Sequence, residues 1–310
     1  MLSAAVVGGV RCRQKTGMES DLLKRFDSIR IFTKGGKLAP HKPLLLLYAL
    51  AQLKNEKIER VTFNDAEAIV GPLIQIYGPF NAKTSVTYPF ARLANDKSGI
   101  WWIENHDKNA SGDLNLTEAR DRKLKAGFSD DVLHAFRESP KLIDLVAINL
   151  LERNFPPSLH PDIREAVGLY LGQDELEAVI RKKRDPRFRN IVLTAYYEQC
   201  AICKYDIKMN GAAIALEAAH IQMHSAGGPD EVRNGLALCI IHHKLFDLGA
   251  LTVDKDMNVL VSERVVGDWG RKLNDEFHKK PIALPRSDTM APAAQFIRWH
   301  NEQIFKGVVG

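Results

Sequence analysis

A chain of 310 residues is long enough for two domains, each with its own core. Its hydrophobic fraction of 45% and charged fraction of 26% are those of an ordinary globular protein, and no apolar run approaches the roughly 20 residues of a membrane span, so no membrane partner is expected. The net charge of +5 and a pI near 8.9 suit a polyanionic partner without specifying one, because the distribution of charge matters more than its total.

Residues 1–17 contain a short apolar run from Ala4 to Val10, with Arg11, Arg13 and Lys15 after it rather than before it. A secretory signal has the opposite order. This stretch is expected to be a disordered leader, or the product of an upstream start with Met18 as the natural one. A cytoplasmic location follows from that reading.

Leu22, Leu23, Phe26 and Ile29 recur at helical spacing and predict an amphipathic helix over 20–31. A basic, Gly-rich loop follows at Lys34-Gly35-Gly36-Lys37. Pro43 fits the first turn of the next helix, and the apolar residues from Leu44 to Leu50 on all its sides predict a buried one. Thr62 to Asp65 offer a cap for a helix to about Ile76. The β-rich stretches Thr87–Leu93 and Ile100–Ile103, around a turn at Asn95–Gly99, predict a hairpin. Helices followed by a hairpin suggest a winged-helix-like arrangement. Ser129 to Phe155 reads as further helices ending at Pro156-Pro157. The expected organisation is α+β, with a mainly helical domain over 18–170 and a second domain over 191–310. Between them, residues 171–190 are expected to be a basic linker. Six of the nine residues from Arg181 to Arg189 are basic, and the run is read as a linker and phosphate-contacting arm.

The densest chemistry lies in residues 200–243. Cys200 and Cys203 form one x2 pair, and Cys239 and His242 form another. Two such pairs of thiolate and imidazole donors predict a tetrahedral structural Zn²⁺. Of the four cysteines, only Cys12 lies outside the motif. Three Cys plus a His suit a metal in a reducing compartment better than a disulfide framework. His220, Asn234 and His243 remain, held near one another by that metal.

This order of His, Asn and His, with the last directly after the second metal pair, resembles the HNH nucleases and their ββα-metal fold. The resemblance implies a phosphodiester hydrolase. Leu216–Ile221 would be the first strand and Gly235–Leu238 the second. His242–Leu248 would be the helix. His220 would be the general base, Asn234 would fix the loop and orient His220, and His243 would help hold one catalytic Mg²⁺ or Mn²⁺. Many members carry a metal-binding Asp or His just before the base, where this chain has Ala219. Asp247, four residues after His243 and on its helix face, or Glu217, two residues before Ala219 and on its strand side, could complete the site. Asp247 could instead cap or pair near Arg233. His224 reads as an exposed loop residue. Phe296 and Trp299, in the tail that often follows such domains, are expected to pack against the nuclease core.

In the N-terminal half, the Pro40–Leu47 block, the Tyr88-Pro89-Phe90-Ala91 turn and the Trp101 stretch resemble the DNA sulfur-binding domain of McrA-like type IV restriction enzymes. That family implies recognition of double-stranded DNA carrying a backbone phosphorothioate. Lys34, His41 and Lys42 would supply a basic rim, with Lys42 standing where members often have Arg. Tyr88, Pro89 and Ala91 would form an apolar cup for the sulfur. Sulfur is larger and less hydrated than oxygen, so an apolar cup discriminates while the rim supplies affinity. The alternatives are an HNH nuclease that reads another modification or unmodified DNA, and a zinc-stabilised DNA-binding protein without cleavage. A homodimer would follow if both strands are cut, although no residue shows it.

Overall fold

The computed structural model describes residues 19–31, 33–34, 37–78, 85–104, 114–172 and 186–309. The expected leader and residues 181–185 of the basic run lie outside them. Helix α1 covers 19–27, shorter at its end than its apolar spacing suggested, and the two-residue strands β1 (Thr33–Lys34) and β2 (Lys37–Leu38) form the next hairpin. Helix α2 (His41–Ala51) has every residue from Lys42 onward buried. A helix that is apolar all round must sit inside the core, and α2 packs against α3 (Phe63–Tyr77), α4 (Thr87–Ala94) and α7 (Lys141–Asn154). Thr62 caps α3, its side chain accepting from the Asp65 amide at 3.2 Å, as its sequence position promised.

Strands β3 (Arg60–Thr62), β4 (Trp101–Ile103) and β5 (Lys125–Phe128) form an antiparallel sheet in the order β3–β5–β4. Gly127 is required in it, because a Cβ there would lie 2.0 Å from the Glu59 carbonyl oxygen. The hairpin expected over 87–103 does not form. Thr87–Ala94 is helical, and β4 pairs with β5 instead. Val86, Phe90 and Leu93 are fully buried at helical spacing, and Pro89 sits in the first turn, where its missing N–H costs nothing. Helices α5 (Leu116–Asp121), α6 (Asp130–Glu138) and α8 (His160–Val167), with a short 3-10 turn at Pro157–Leu159, complete this half.

The second half has its own core. Helix α9 (Pro186–Ala195) packs on the antiparallel strands β8 (Leu216–His220) and β9 (Gly235–Cys239). Phe188 is buried there, so the nuclease core begins inside the run expected as linker. Strands β6 (Lys208–Met209) and β7 (Ala212–Ala213) make a small hairpin before β8. Helix α10 (Ile240–Asp247) follows β9 directly and completes a ββα unit. Strands β10 (Leu251–Val253) and β11 (Val259–Val261) pair beside it, and helices α11 (Asp268–Phe277) and α12 (Ala294–Gln303) close the core. Phe296 is buried in that core, as expected of the tail, whereas Trp299 is half-buried and lines a cavity with Ile31, Tyr77 and Asp247 instead. The halves meet where α10 packs against the Pro157–Leu159 turn and Leu248 touches the first core. Among the described residues, no helix is long and apolar enough to cross a membrane.

A candidate metal cluster and nuclease centre

Cys200 opens a tight turn in which its amide donates to the Tyr205 carbonyl and its own carbonyl accepts from the Lys204 amide, each at 2.9 Å. The Ala201 amide then ties this turn to β9 through the Ala237 carbonyl at 2.7 Å. Cys239 is the residue before α10, and His242 lies in the helix's first turn. Folding therefore brings the two pairs together, and the donor atoms of Cys200, Cys203, Cys239 and His242 all lie within 4.8 Å of one another. Cys203 Sγ is 3.9 Å from Cys239 Sγ, while His242 Nδ1 is 3.6 Å from Cys200 Sγ and 3.3 Å from Cys239 Sγ. A disulfide would need sulfurs about 2 Å apart. A tetrahedron with metal–sulfur bonds of about 2.3 Å has edges of about 3.8 Å, which these separations approach. Burial lowers the affinity of His242 for a proton, yet its contacts to Cys200 and Cys239 reverse that and raise its pKa to about 9. Three sulfurs and an imidazole nitrogen in this geometry fit a cation such as zinc.

His220 ends β8 with its ring stacked on Phe188 at 4.0 Å between centroids. Its Nε2 lies 2.8 Å from Asp230 Oδ1. Burial lowers the His220 pKa, and Asp230 offsets this only in part, so the imidazole is neutral at pH 7. Asn234 is wholly buried. Its Oδ1 accepts from the Gln222 amide at 2.8 Å, and its Nδ2 donates to the carbonyls of Gln222 and Pro229, both at 3.0 Å. Asn234 thus staples the two ends of the loop between the strands. Gly228 makes room for the staple, since a Cβ there would sit 1.9 Å from the Gln222 oxygen. Asp230 follows Pro229 immediately, so the same staple aims Asp230 at His220. The sequence reading missed both Asp230 and Phe188. Asp230 was findable as one of two acids in the loop between His220 and Asn234, whereas Phe188 comes from a separate helix.

His243 lies between two carboxylates. Nδ1 is 2.7 Å from Glu217 Oε2, and Nε2 is 3.2 Å from Asp247 Oδ2. Burial opposes its protonation, but Asp247 and Glu217 outweigh burial and raise its pKa to about 10. The acids meet opposite ring nitrogens, so His243 can share a metal with either one but not with both through one lone pair. The Glu217 side chain is 49% exposed and that of Asp247 is 7% exposed. Asp247 also accepts from Ser158 Oγ. Among the described residues, its polar partners are thus His243 and Ser158 rather than Arg233. His300, not singled out from sequence, stacks on Phe246 at 3.6 Å, and its Nε2 is 3.1 Å from the Phe246 carbonyl oxygen. Burial holds its pKa down to about 4, so it is a neutral clamp on the end of α10. His224 is exposed in its loop.

The residues expected to read sulfur divide differently. His41 is half-buried at the start of α2, and Tyr88 is half-buried on α4 with the Arg92 guanidinium 5.4 Å from its ring centre. Pro89 and Ala91 are buried. Lys34 lies in β1, with its side chain outside what the structure describes. Lys42 is not on a rim. It is buried, with Nζ 2.7 Å from Asp96 Oδ2 and 3.0 Å from the Arg30 carbonyl oxygen. Asp96 also accepts from the amides of Arg30 and Ser98, both at 3.1 Å. The physical reason is that Lys42 points into an α2 environment that is otherwise apolar, where an ammonium must find a carboxylate.

The family described as ScoMcrA-like, DNA sulfur-binding domain, matches residues 19–171, and the family described as HNH endonuclease matches residues 200–254. A DNA-binding domain followed by an HNH domain defines the class: the chain is a DNA endonuclease. Its order of parts is McrA-like: a ScoMcrA-like DNA sulfur-binding domain at the N-terminus followed by an HNH endonuclease domain. Similar solved structures include the sulfur-binding domain of ScoMcrA complexed with phosphorothioated DNA, 23% identical, covering 47% of this chain and 94% of that chain with a TM-score of 0.40. The corresponding SprMcrA complex is 19% identical and covers 51% of this chain and 96% of that one, with a TM-score of 0.41. The type IV phosphorothioation-dependent restriction endonuclease ScoMcrA is 14% identical and covers 72% and 83%, with a TM-score of 0.37. The family matches, not these superpositions, carry the assignment. No curated protein matches the chain.

Proposed function

We propose that this endonuclease recognises phosphorothioated double-stranded DNA through residues 19–171 and hydrolyses a nearby phosphodiester at the ββα centre. The observation that carries the cleavage reading is the arrangement on β8. It holds a neutral, oriented His220 at its end and Glu217, already bonded to His243, three residues earlier.

His220 takes the proton from the attacking water, which requires a neutral ring held in place; Phe188 fixes its plane and Asp230 fixes its edge. Asn234 keeps the loop shut around this pair. His243 and Glu217 would hold one Mg²⁺ or Mn²⁺. Asp247, one of the two residues expected to complete the site, is better placed to accept from Nε2, so that the proton a bound metal would displace is the one on Nδ1. When bound, the divalent cation supplies charge stabilisation on the phosphate and on the leaving oxygen. Zn²⁺ in the Cys200, Cys203, Cys239 and His242 cluster would hold β9 and α10 in register.

We read β3, α3, α4, β4 and β5, with sheet order β3–β5–β4, as a winged-helix arrangement in which α4 is the recognition helix. On that reading Tyr88 and His41 face DNA, Pro89 and Ala91 form the apolar floor beneath them, and Lys42 holds the Asn95–Gly99 turn rather than a phosphate. The basic run before α9 supplies phosphate contacts. The enzyme is assigned to the cytoplasm, and a homodimer would place one centre on each strand. The direct test is equilibrium binding of the whole chain to matched duplexes at one salt concentration. Tighter binding to the phosphorothioate duplex supports sulfur recognition, and equal affinity leaves an HNH nuclease that reads something else.

A further inference from the structure

We infer that Ser158, a residue of the sulfur-binding half, is a positioning residue for the catalytic metal site of the nuclease half. The inference rests on the reading that His243 and Glu217 hold that metal. Ser158 lies in the Pro157–Leu159 turn, which packs against α10. Its hydroxyl donates to Asp247 Oδ2, the same oxygen that lies 3.2 Å from His243 Nε2. A chain of contacts therefore runs from the recognition half through Ser158 and Asp247 to both nitrogens of His243, and on to Glu217.

The chemistry gives Ser158 a specific task. Asp247 is buried at the seam between the two halves, and a buried carboxylate needs donors. Ser158 supplies one from outside the nuclease fold and fixes which way the carboxylate faces. A fixed Asp247 holds the edge of the His243 ring through Nε2, and so presents Nδ1 towards Glu217 and the metal. Outer partners of this kind typically change metal affinity or activity by about 10–100-fold when they touch the ligand directly. Ser158 acts one bond further out, so a smaller factor is expected. The seam has a second polar contact, Lys244 Nζ to Asp162 Oδ2 at 2.5 Å, which touches neither Asp247 nor His243. That pair separates a general loosening of the seam from the loss of one oriented carboxylate.

The test uses the full chain, with its cysteine cluster loaded, and Mn²⁺ as the probe. Mn²⁺ binding is followed by its electron paramagnetic resonance signal in the wild type, Ser158→Ala, Ser158→Thr, Asp162→Asn and His243→Ala. Phosphorothioate-duplex affinity and melting temperature are measured alongside. Ser158→Ala should weaken Mn²⁺ binding by about 3- to 10-fold and move the metal activation curve for cleavage by the same factor. Its duplex affinity should be unchanged, Ser158→Thr should recover the binding, and Asp162→Asn should bind as the wild type does. Unchanged Mn²⁺ affinity in Ser158→Ala, with His243→Ala clearly weakened, overturns the role of Ser158 alone. So does a loss of metal affinity that Asp162→Asn reproduces, or one accompanied by loss of duplex binding and a collapsed melting temperature. If His243→Ala binds Mn²⁺ as well as the wild type, the metal site itself is wrong and the inference falls with it.

Discussion

Asp230 Oδ1 lies 2.8 Å from Nε2 of His220, and the loop that carries Asp230 is closed by Asn234, four residues further on. The Asn of the His–Asn–His order therefore reaches the base through an aspartate that the order does not contain. Asp230 favours protonation of His220 against the effect of burial. Replacing it with Asn keeps the shape but removes that support. For Asp230→Asn the acidic limb of the pH–rate profile should move to lower pH, because the base must be neutral to act and its pKa falls. The maximal rate should drop on the order of tenfold, because an uncharged amide oxygen holds the edge of the ring less firmly than the carboxylate does. An unmoved acidic limb would separate Asp230 from the base.

His220→Ala should lose cleavage by about 10²- to 10⁴-fold while duplex affinity stays near that of the wild type, since a base acts in the transition state rather than in docking. Single-turnover cleavage and a binding isotherm, both on the phosphorothioate duplex, check the two halves of the statement. Wild-type cleavage by this variant would remove His220 from the mechanism.

The four-donor cluster should hold one zinc per chain by metal analysis of chelator-washed, folded protein. Cys200→Ala, which removes a fully buried donor, should lower the melting temperature of the nuclease half by on the order of 10 °C or more. A zinc-free protein whose stability is unaffected by the substitution would contradict a structural metal.

Lys42→Ala should destabilise the recognition half by about 3 kcal/mol, because it leaves the Asp96 carboxylate buried without its counter-ion. Burial pushes the Asp96 pKa up, but Lys42 together with the Ser98 and Arg30 amides holds it below the ordinary carboxylate value. A depressed folded-state pKa contributes stability that is present above the unfolded value of about 4 and is lost as pH falls through the folded one. The wild type should therefore shed this contribution in acid, and Lys42→Ala should lack it at neutral pH. Denaturant midpoints at pH 7 and pH 3 test this. A stable Lys42→Ala protein with weakened DNA binding would return Lys42 to the phosphate surface.

The convergence of the four candidate metal donors was legible because spacing along the chain encodes it, and the ββα unit was legible through the resemblance that the His–Asn–His order carries. A pair with two residues between its donors makes a turn with both on one side, and the second pair could only meet it across the β8–β9 hairpin. The burial of α2 was legible for the same local reason. What the sequence hid was set by distance. Lys42 reads as a surface cation until Asp96, 54 residues away, is brought beside it. Ser158 and Asp247 are 89 residues apart and lie in different halves. The α4 segment misled in another way. Thr87, Tyr88 and Phe90 have strand-like side chains, but β propensity largely reports fit to a half-buried sheet surface. The burial of Val86, Phe90 and Leu93 at helical spacing decided the structure.

Cleavage of matched plasmids, identical except for backbone phosphorothioation, with Mg²⁺ or Mn²⁺ added to the zinc-loaded protein, tests the central claim most directly. The account predicts cutting of the phosphorothioated plasmid that depends on the added metal and on His220, with the unmodified plasmid left intact under the same salt. Equal cutting of both plasmids, or cutting of neither while the phosphorothioated one is bound, would contradict it.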